Sequence, residues 1–400
     1  MKKTAIVILC FFISNSFVSA QNSGNLIEGV AFIKKGDYEA AYNSLSKSIN
    51  EENRLADSYF YRGKSLFLNT KFNDAEDDFI KSLEYGNKES LIYLARCKAN
   101  QKNEKDAIGY LDKYLKNYPE YSITRIKNDD NFRQIQTSDA WFNFISEIEQ
   151  NAICEKLENI DYLINNKQYI KAESFSQQAI NSFPASISLH LKLAEIYASQ
   201  GNFQLAQYEA SNAFNLEPAN IQAILEYSKY AKMNGKYEQA IEKLTELKKI
   251  QPEIFDTYIL LAETMLASSD ASAAEKEIDT YLEYFPGDIN ALFIKAQIEY
   301  ALNKKQESLK ILNNLINKNT AKAEWFKLRG MVLFNSNAYS FAVSDLSMSL
   351  DLIPDDAETN YYLGLSYKKL NNISSACYYL NRAYKYGDNR AFDYISEECK

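Results

Sequence analysis

The sequence predicts an all-α solenoid, built from helix pairs that repeat along most of the chain. An alanine recurs every 34 residues from Ala172 to Ala376, with Ser308 in its place once. Ala41 and Ala75 are also 34 residues apart, Ala107 follows after 32, and each of the six prolines lies 12 residues after one of these phased positions. Only 12 glycines occur in 400 residues, whereas a β-protein of this size would need many more turn residues. A regular period of this length indicates stacked supersecondary units.

Each unit is predicted to contain two helices. A second small residue lies 12 positions before the phased alanine in every unit except one, where Ile160 occupies the position. Small residues at both positions allow the two helices to cross closely, because a larger side chain would clash there. A short turn at Gly201, Gly235 or Asn371 separates the helices, and proline ends the second helix because it lacks a backbone donor. The structural alanines are Ala41, Ala75, Ala107, Ala172, Ala206, Ala240, Ala274, Ala342 and Ala376.

This pattern resembles the tetratricopeptide repeat (TPR) family. The segments "NYYLGLSYKKLNNISSACYYLNRAYKYG" (360–387) and "SYFYRGKSLFLNTKFNDAEDDFIKSLEYG" (58–86) carry the resemblance. It covers about residues 22–119 and 151–388, or ten units. The resemblance implies a right-handed superhelix of antiparallel helix pairs, whose variable residues face solvent or a partner.

The N-terminus is predicted to be a secretory signal peptide, residues 1–20. Lys2 and Lys3 precede a nine-residue apolar run, and small residues lead to a cleavage site after Ala20. We therefore expect an exported protein. The periplasm fits best, either free or peripheral to a membrane complex, because the cysteines do not form an animal-type framework.

The remaining chain divides into four predicted segments: a block of about three units (21–119), an insertion (120–150), a block of seven units (151–388) and a capping helix (389–400). The insertion is interpreted as a degenerate helix pair that continues or bends the stack, with Ser138 as an N-cap. The alternative is a docking element that exposes Trp141 and Phe144.

The C-terminal segment is predicted to shield the last apolar surface of the stack. Ala391, Phe392 and Ile395 share one face of the expected helix. Cys399 would then lie near Cys377 of the preceding helix, so a disulfide between them is a hypothesis.

The resemblance implies that the first helices line a concave groove that binds peptides or protein segments. The predicted groove residues are Lys64, Phe67, Arg96, Glu195, Lys229, Glu263, Tyr300 and Phe334. Positions 15 residues before the phased alanine, such as Phe60 and Ile92, are mostly apolar. They would belong either to the core or to an apolar stripe in the groove, and both interpretations remain open.

Catalytic chemistry is not predicted. The chain has one histidine, His190, which argues against zinc sites and against Ser-His or Cys-His catalysis. The sequence contains neither a Gly-rich phosphate loop nor a Ser-x-x-Lys motif. The net charge of −8 argues against nucleic-acid binding. We expect no catalytic residue, no metal, no cofactor and no nucleic-acid partner.

The leading hypothesis is therefore a non-catalytic scaffold or adaptor in the bacterial cell envelope, with a secretion or outer-membrane assembly system as its setting. It would bind polypeptide segments in the groove. One alternative is a periplasmic chaperone for unfolded or transiting polypeptides, and another is a regulatory partner of a cell-wall enzyme.

Overall fold

The computed structural model describes residues 24–148, 152–318 and 322–399, so the predicted signal peptide lies outside the described residues. Every regular element in these ranges is helical. The chain forms two compact units, of which the first ends at Thr257 and the second begins at Tyr258. The helices are α1 Gly24–Lys35, α2 Tyr38–Asn50, α3 Leu55–Leu68, α4 Phe72–Glu84, α5 Ser90–Asn100, α6 Glu104–Asn117, α7 Ile123–Lys127, α8 Asp139–Ile148, α9 Ala152–Asn165, α10 Tyr169–Ser182, α11 Ile187–Ser199, α12 Phe203–Leu216, α13 Ile221–Met233, α14 Tyr237–Ile250, α15 Asp256–Ala267, α16 Ala271–Tyr284, α17 Ile289–Ala301, α18 Lys305–Lys318, α19 Ala323–Asn335, α20 Tyr339–Leu352, α21 Ala357–Lys369, α22 Ile373–Lys385 and α23 Ala391–Glu398.

The turn inside each helix pair has the same backbone geometry. In every described pair, the residue five positions before the phased alanine has a positive φ. Asn and Gly tolerate this left-handed region best, and they supply six of these ten turns. A side-chain cap then starts many second helices, as Asn202 does by accepting from the Leu205 amide at 3.2 Å. The turn residues are Gly36, Thr70, Lys102, Lys167, Gly201, Gly235, Ser269, Asn303, Asn337 and Asn371.

The phased alanines lie in the contact between paired helices. Each of them is at most 3% exposed, and Ser308 is fully buried. The small residues of the first helices face equally close neighbours. A Cβ added at Gly330 would lie 2.6 Å from Leu346 Cγ, and one at Gly364 would lie 2.7 Å from Leu380 Cγ. The helices therefore approach so closely that an added methyl group must displace a core leucine.

Ile160 breaks the small-residue series without opening the helix pair, because the partner position is small. In four glycine-containing pairs the residue that contacts the glycine lies 16 positions later and is leucine or phenylalanine. Sixteen positions after Ile160 lies Ser176, and both residues are fully buried. The large and the small residue have exchanged helices at this crossing.

The insertion continues the stack. After α7, a short 3₁₀ helix and α8 bring Phe132, Trp141 and Phe144 into one buried cluster with residues of α5 and α6. Ser138 accepts from the Trp141 amide at 3.2 Å and caps α8. Trp141 is 4% exposed and Phe144 is 8% exposed. The alternative in which these two rings are displayed for docking is therefore wrong, because they complete the core of the third helix pair.

The insertion also contacts the following repeat. The Thr124 hydroxyl donates to Glu158 of α9 at 2.6 Å, and the Cys154 thiol lies 3.3 Å from the Pro119 carbonyl oxygen. The start of the insertion thus contacts α9, to which the Tyr121 carbonyl oxygen adds a contact with the Cys154 thiol at 3.5 Å.

The C-terminal helix α23 covers the end of α21 and α22. Ala391 is fully buried against Leu380 and Ala383, and Ile395 is partly buried in the same cluster. Phe392 differs from the prediction, since it is 53% exposed, although its ring centroid lies 5.7 Å from that of Tyr384. A disulfide joins Cys377 of α22 to Cys399.

Candidate protein-binding surface

The predicted groove residues all lie on the first helices of their pairs. Lys64 and Phe67 are on α3 and Arg96 is on α5, while the others are on α11, α13, α15, α17 and α19. The structure separates these residues into three groups, which belong to the core, to fixed ion pairs or to the surface.

Phe67 belongs to the core. It is 8% exposed, and its ring contacts Phe72 and Tyr93 with centroid distances of 5.4 and 5.6 Å. A ligand could reach it only if these aromatic contacts were broken. Its assignment to a binding groove is therefore corrected. The same holds for Phe60 and Ile92, each 5% exposed, so the apolar stripe is core at these positions.

Arg96 is engaged by the insertion. Its Nε donates to Asp129 at 2.7 Å, and its guanidinium lies 5.0 Å from the Tyr93 ring centroid. Both side chains of the ion pair are mostly buried, at 19% and 11% exposure. Arg96 therefore anchors residues 120–150 to α5. Removing Arg96 would leave the buried Asp129 carboxylate without its partner. The substitution would therefore disturb the fold as well as any binding.

Lys64, Glu195 and Lys229 remain on the surface. The Lys64 ammonium lies 5.9 Å from the Tyr93 ring centroid. Glu195 pairs with Lys192, and Lys229 pairs with Glu226, both at 3.1 Å. Exposed pairs of this kind contribute only about 0–1 kcal/mol. Breaking these ion pairs to form contacts with a partner would therefore require little free energy.

The predicted residues of the second unit are partly buried. The Tyr300 hydroxyl accepts from the Asn335 amide group. The Phe334 ring lies 5.5 Å from Tyr339 and 5.6 Å from Tyr362. Glu263 is half-buried on α15. All three side chains are therefore half-buried, and Tyr300 and Phe334 are engaged by neighbouring side chains.

One surface of the first unit contains residues that the sequence did not single out. Glu89 is exposed, yet desolvation by the surrounding protein raises the pKa of its carboxyl, against the lowering effect of Lys64. The pKa of Tyr118 is raised by desolvation and then by the carboxylates of Glu89 and Glu217. Glu89 therefore has protein packed close around it and lies near both Lys64 and Tyr118.

Tyr61 extends this surface toward the N-terminus. Desolvation and then the carboxylates of Glu253, Asp57 and Glu89 raise the pKa of its phenol. We call Tyr61, Lys64, Glu89 and Tyr118 the inner surface. Only Lys64 was predicted, since Glu89 and Tyr118 lie at the ends of helices, outside the helical phases used to select groove residues.

One contact closes the first unit across 199 residues of sequence. Arg54 Nη1 and Nη2 donate to the two oxygens of Glu253 at 2.7 and 2.8 Å. Arg54 also donates to Asp57 at 2.9 Å. Glu253 is only 2% exposed. Beside this pair, the Lys34 ammonium lies 5.5 Å from the Phe255 ring centroid and 3.6 Å from Asp256. We call these five residues, Lys34, Arg54, Glu253, Phe255 and Asp256, the closing contact.

Comparison with known proteins identifies the repeat. A family profile described as "Tetratricopeptide repeat" matches residues 89–121 and 358–388. The chain contains tetratricopeptide repeats. These two matches fall on the third and the last helix pair. Together with the constant spacing of the other pairs, they are consistent with a protein-interaction scaffold.

Similar proteins span most of the chain. The chain is 20% identical over 389 residues to "TPR repeat-containing protein YpiA" of Bacillus subtilis (strain 168), which covers 92% of this chain and 88% of the relative. A TPR protein structure from Parabacteroides merdae covers 62% of this chain and 98% of its own, at TM-score 0.54 and 19% identity. The APC/C hetero-tetramer Cut9-Hcn1 covers 95% and 84%, at TM-score 0.56 and 14% identity. These likenesses show the fold, an α-solenoid of the TPR type.

Neither a metal site nor a membrane span is found among the described residues. Among them, no group of three or more His, Cys, Asp or Glu side chains is arranged to hold a metal ion. None of the described helices has both the length and the apolar character that a membrane span requires. The unpaired cysteines Cys97 and Cys154 are buried, and desolvation raises their pKa values to about 12 and about 11.

Proposed function

We propose that this protein is a non-catalytic scaffold that binds polypeptide segments in the cell envelope of a bacterium, and that the inner surface is a binding site. The observation that carries the proposal is the position of Tyr61, Lys64, Glu89 and Tyr118. Glu89 acts electrostatically on both tyrosines, and Lys64 acts on Glu89, so the four side chains belong to one surface, on which Tyr61 and Tyr118 also pack against the core.

The inner surface suits an extended polypeptide. Tyrosine supplies a large contact area with few rotatable bonds, and its hydroxyl can pair with a backbone group. Lys64 and Glu89 add one charge of each sign, which would orient a segment that carries both. Recognition of short segments by a concave helical surface is a general mode for stacked repeats.

The cellular setting is the finer part of the proposal. It rests on the N-terminal sequence, in which two lysines, an apolar run and small residues precede Gln21. Secretion or outer-membrane assembly systems are one setting that needs such adaptors. Intact-mass measurement of the protein purified from its own host should give a chain that begins at Gln21. A chain that retains residues 1–20 would contradict export through this signal.

In-cell cross-linking followed by mass spectrometry tests the binding proposal. The tagged wild-type protein should capture a small set of partners in stoichiometric amounts. Lys64→Glu should reduce this capture, because it makes the inner surface more acidic. Lys171→Glu is the matched control, since Lys171 is exposed on α10, a second helix.

Two results would count against the proposal. Equal loss of partners in both lysine variants would point to net charge rather than to the inner surface. Capture of many unrelated polypeptides in low amounts would instead favour the chaperone alternative. Arg96 is unsuitable for this test, because it holds the insertion in place.

A further inference from the structure

The closing contact uses a loop position that is otherwise exposed. Glu253 lies 21 residues before its phased alanine, Ala274. Four residues in the same place in other loops, Ala185, Ala219, Gly287 and Asp355, are all exposed, whereas Glu253 is 2% exposed. Arg54 has the same place relative to Ala75. The two loops therefore meet through equivalent positions, which carry opposite charges.

Phe255 shows the same contrast. Isoleucines at the equivalent position of other repeats, Ile187, Ile221 and Ile289, are half-buried or exposed, and Ile289 reaches 37%. Phe255 is only 1% exposed, with the Lys34 ammonium over its ring. A larger apolar side chain is thus more deeply covered here than a smaller one is elsewhere. Phe255 is thus more deeply buried than any of these three isoleucines.

The stack does not depend on this contact for its core. Each repeat of a solenoid buries its apolar face against its neighbours in sequence. The first repeat packs on the second through α2 and α3, and the sixth on the fifth through α12 and α13. Arg54 and Glu253 add an ion pair between loops, and Arg54 adopts a left-handed backbone, with φ of 42°. Because this ion pair joins two loops, its separation would leave the contacts within each helix pair in place.

We propose that the closing contact is a latch: the first unit exchanges between a closed form, in which Arg54 is held by Glu253, and an open form, in which the two loops separate and the inner surface becomes accessible to larger ligands. Tyr61 connects the inner surface with the closing contact. It belongs to the inner surface, and the Glu253 carboxylate is one of the groups that raise the pKa of its phenol. A ligand that binds the open form better would shift the population toward it. What binds there rests on the proposed function, whereas the measurements below need no partner.

Distance measurement between two spin labels tests the latch. Lys47 and Lys249 are exposed and lie near the ends of α2 and α14, on the two sides of the contact. In the full mature chain, each would be replaced by cysteine and labelled. Cys97 and Cys154 are buried and Cys377 is bonded to Cys399, so labelling is selective. The otherwise wild-type chain should show mainly one short distance.

Glu253→Lys should add a longer population, because it places two positive charges against each other. Arg54→Ala should do the same by removing the other partner. Asp355→Asn, which changes the equivalent exposed loop position, should leave the distance unchanged. Circular dichroism should show the same helix content in all variants. A single short distance in both Glu253→Lys and Arg54→Ala would overturn the latch.

Access to the inner surface gives the second readout. The variant Lys64→Cys would be modified with two reagents. One is a small maleimide, and the other is a maleimide coupled to a polymer of about 5 kDa, the mass of a very small protein domain. Glu253→Lys should raise the rate for the large reagent several-fold and leave the rate for the small one nearly unchanged. Equal rates for the large reagent with and without Glu253→Lys would show that the contact does not control access.

Discussion

Gly330 and Leu346 meet through apolar atoms within one repeat, whereas Arg54 and Glu253 meet through charge across 199 residues. The first kind of contact recurs at the same spacing in four glycine-containing pairs, and it requires that one of the two residues be small. The second kind occurs at loop positions that are exposed in other repeats. It forms only because these two positions carry residues of opposite charge. Repeated contacts therefore determine the fold, and single contacts give the protein its individual properties.

The largest effect is expected for the disulfide, a single contact. Cys399→Ser opens a loop of 22 residues between Cys377 and Cys399. Cross-links that close loops of this size stabilise by about 2–4 kcal/mol. We expect α23 to lose hydrogen-exchange protection by a corresponding factor, while α1–α14 are unchanged. Equal protection of α23 in the variant would show that packing of Ala391 alone holds the cap.

The repeated contacts can be tested with one substitution at two glycines. Gly330→Ala should destabilise by about 1–3 kcal/mol, because the new Cβ would lie 2.6 Å from Leu346 Cγ. Gly109→Ala is the matched control on α6, where nothing lies within 4 Å of an added Cβ. It should stabilise by about 0.5–1 kcal/mol through the backbone alone. Urea unfolding that moved both midpoints in the same direction would contradict close helix crossing as the constraint.

His190 supplies a single polar contact inside the repeated frame. Its Nδ1 lies 2.7 Å from Glu209 and its Nε2 lies 3.2 Å from the Pro184 carbonyl oxygen. The hydrogen bond with Glu209 is the largest cause that raises the pKa of His190, with a further contribution from Glu120. Because both ring nitrogens face acceptors, the charged form is favoured.

The sign of the pH dependence follows from the raised pKa. The contribution of His190 is fully present below the unfolded pKa of about 6.5 and is lost as pH rises through the folded pKa. A buried hydrogen bond to a charged group contributes about 1.5–3 kcal/mol. His190→Gln should therefore lower the urea midpoint more at pH 5.5 than at pH 9. If the substitution lowered the urea midpoint equally at pH 5.5 and pH 9, the ring would act by packing only.

The smallest effect is expected at the crossing where Ile160 and Ser176 exchange sizes. The Ser176 hydroxyl is buried, and the described residues give it no hydrogen-bond partner. Ser176→Ala should raise stability by up to about 1 kcal/mol, because it removes an unpaired polar group. Ala210 already occupies the equivalent position of the next repeat and is fully buried. A loss of stability in thermal unfolding would indicate that the hydroxyl has a partner.

Much of the fold could be predicted because its rules are local and periodic. Ala240 and Pro252 mark a helix crossing and a helix end wherever they recur. The candidate site could not be predicted in the same way. Phe67 and Lys64 lie one turn apart on α3, but one is core and the other is surface. Phe67 is buried because Tyr93 and Phe72 contact it from neighbouring helices.

The sequence by itself determined the helix pairs, their 34-residue period and the places where side chains must be small, because these follow from contacts between residues close in the chain. Only the tertiary structure decided that Arg96 holds the insertion and that Arg54 meets Glu253. Such contacts depend on how the small rotations between successive repeats add up along the chain. A local pattern of residues does not predict that total rotation.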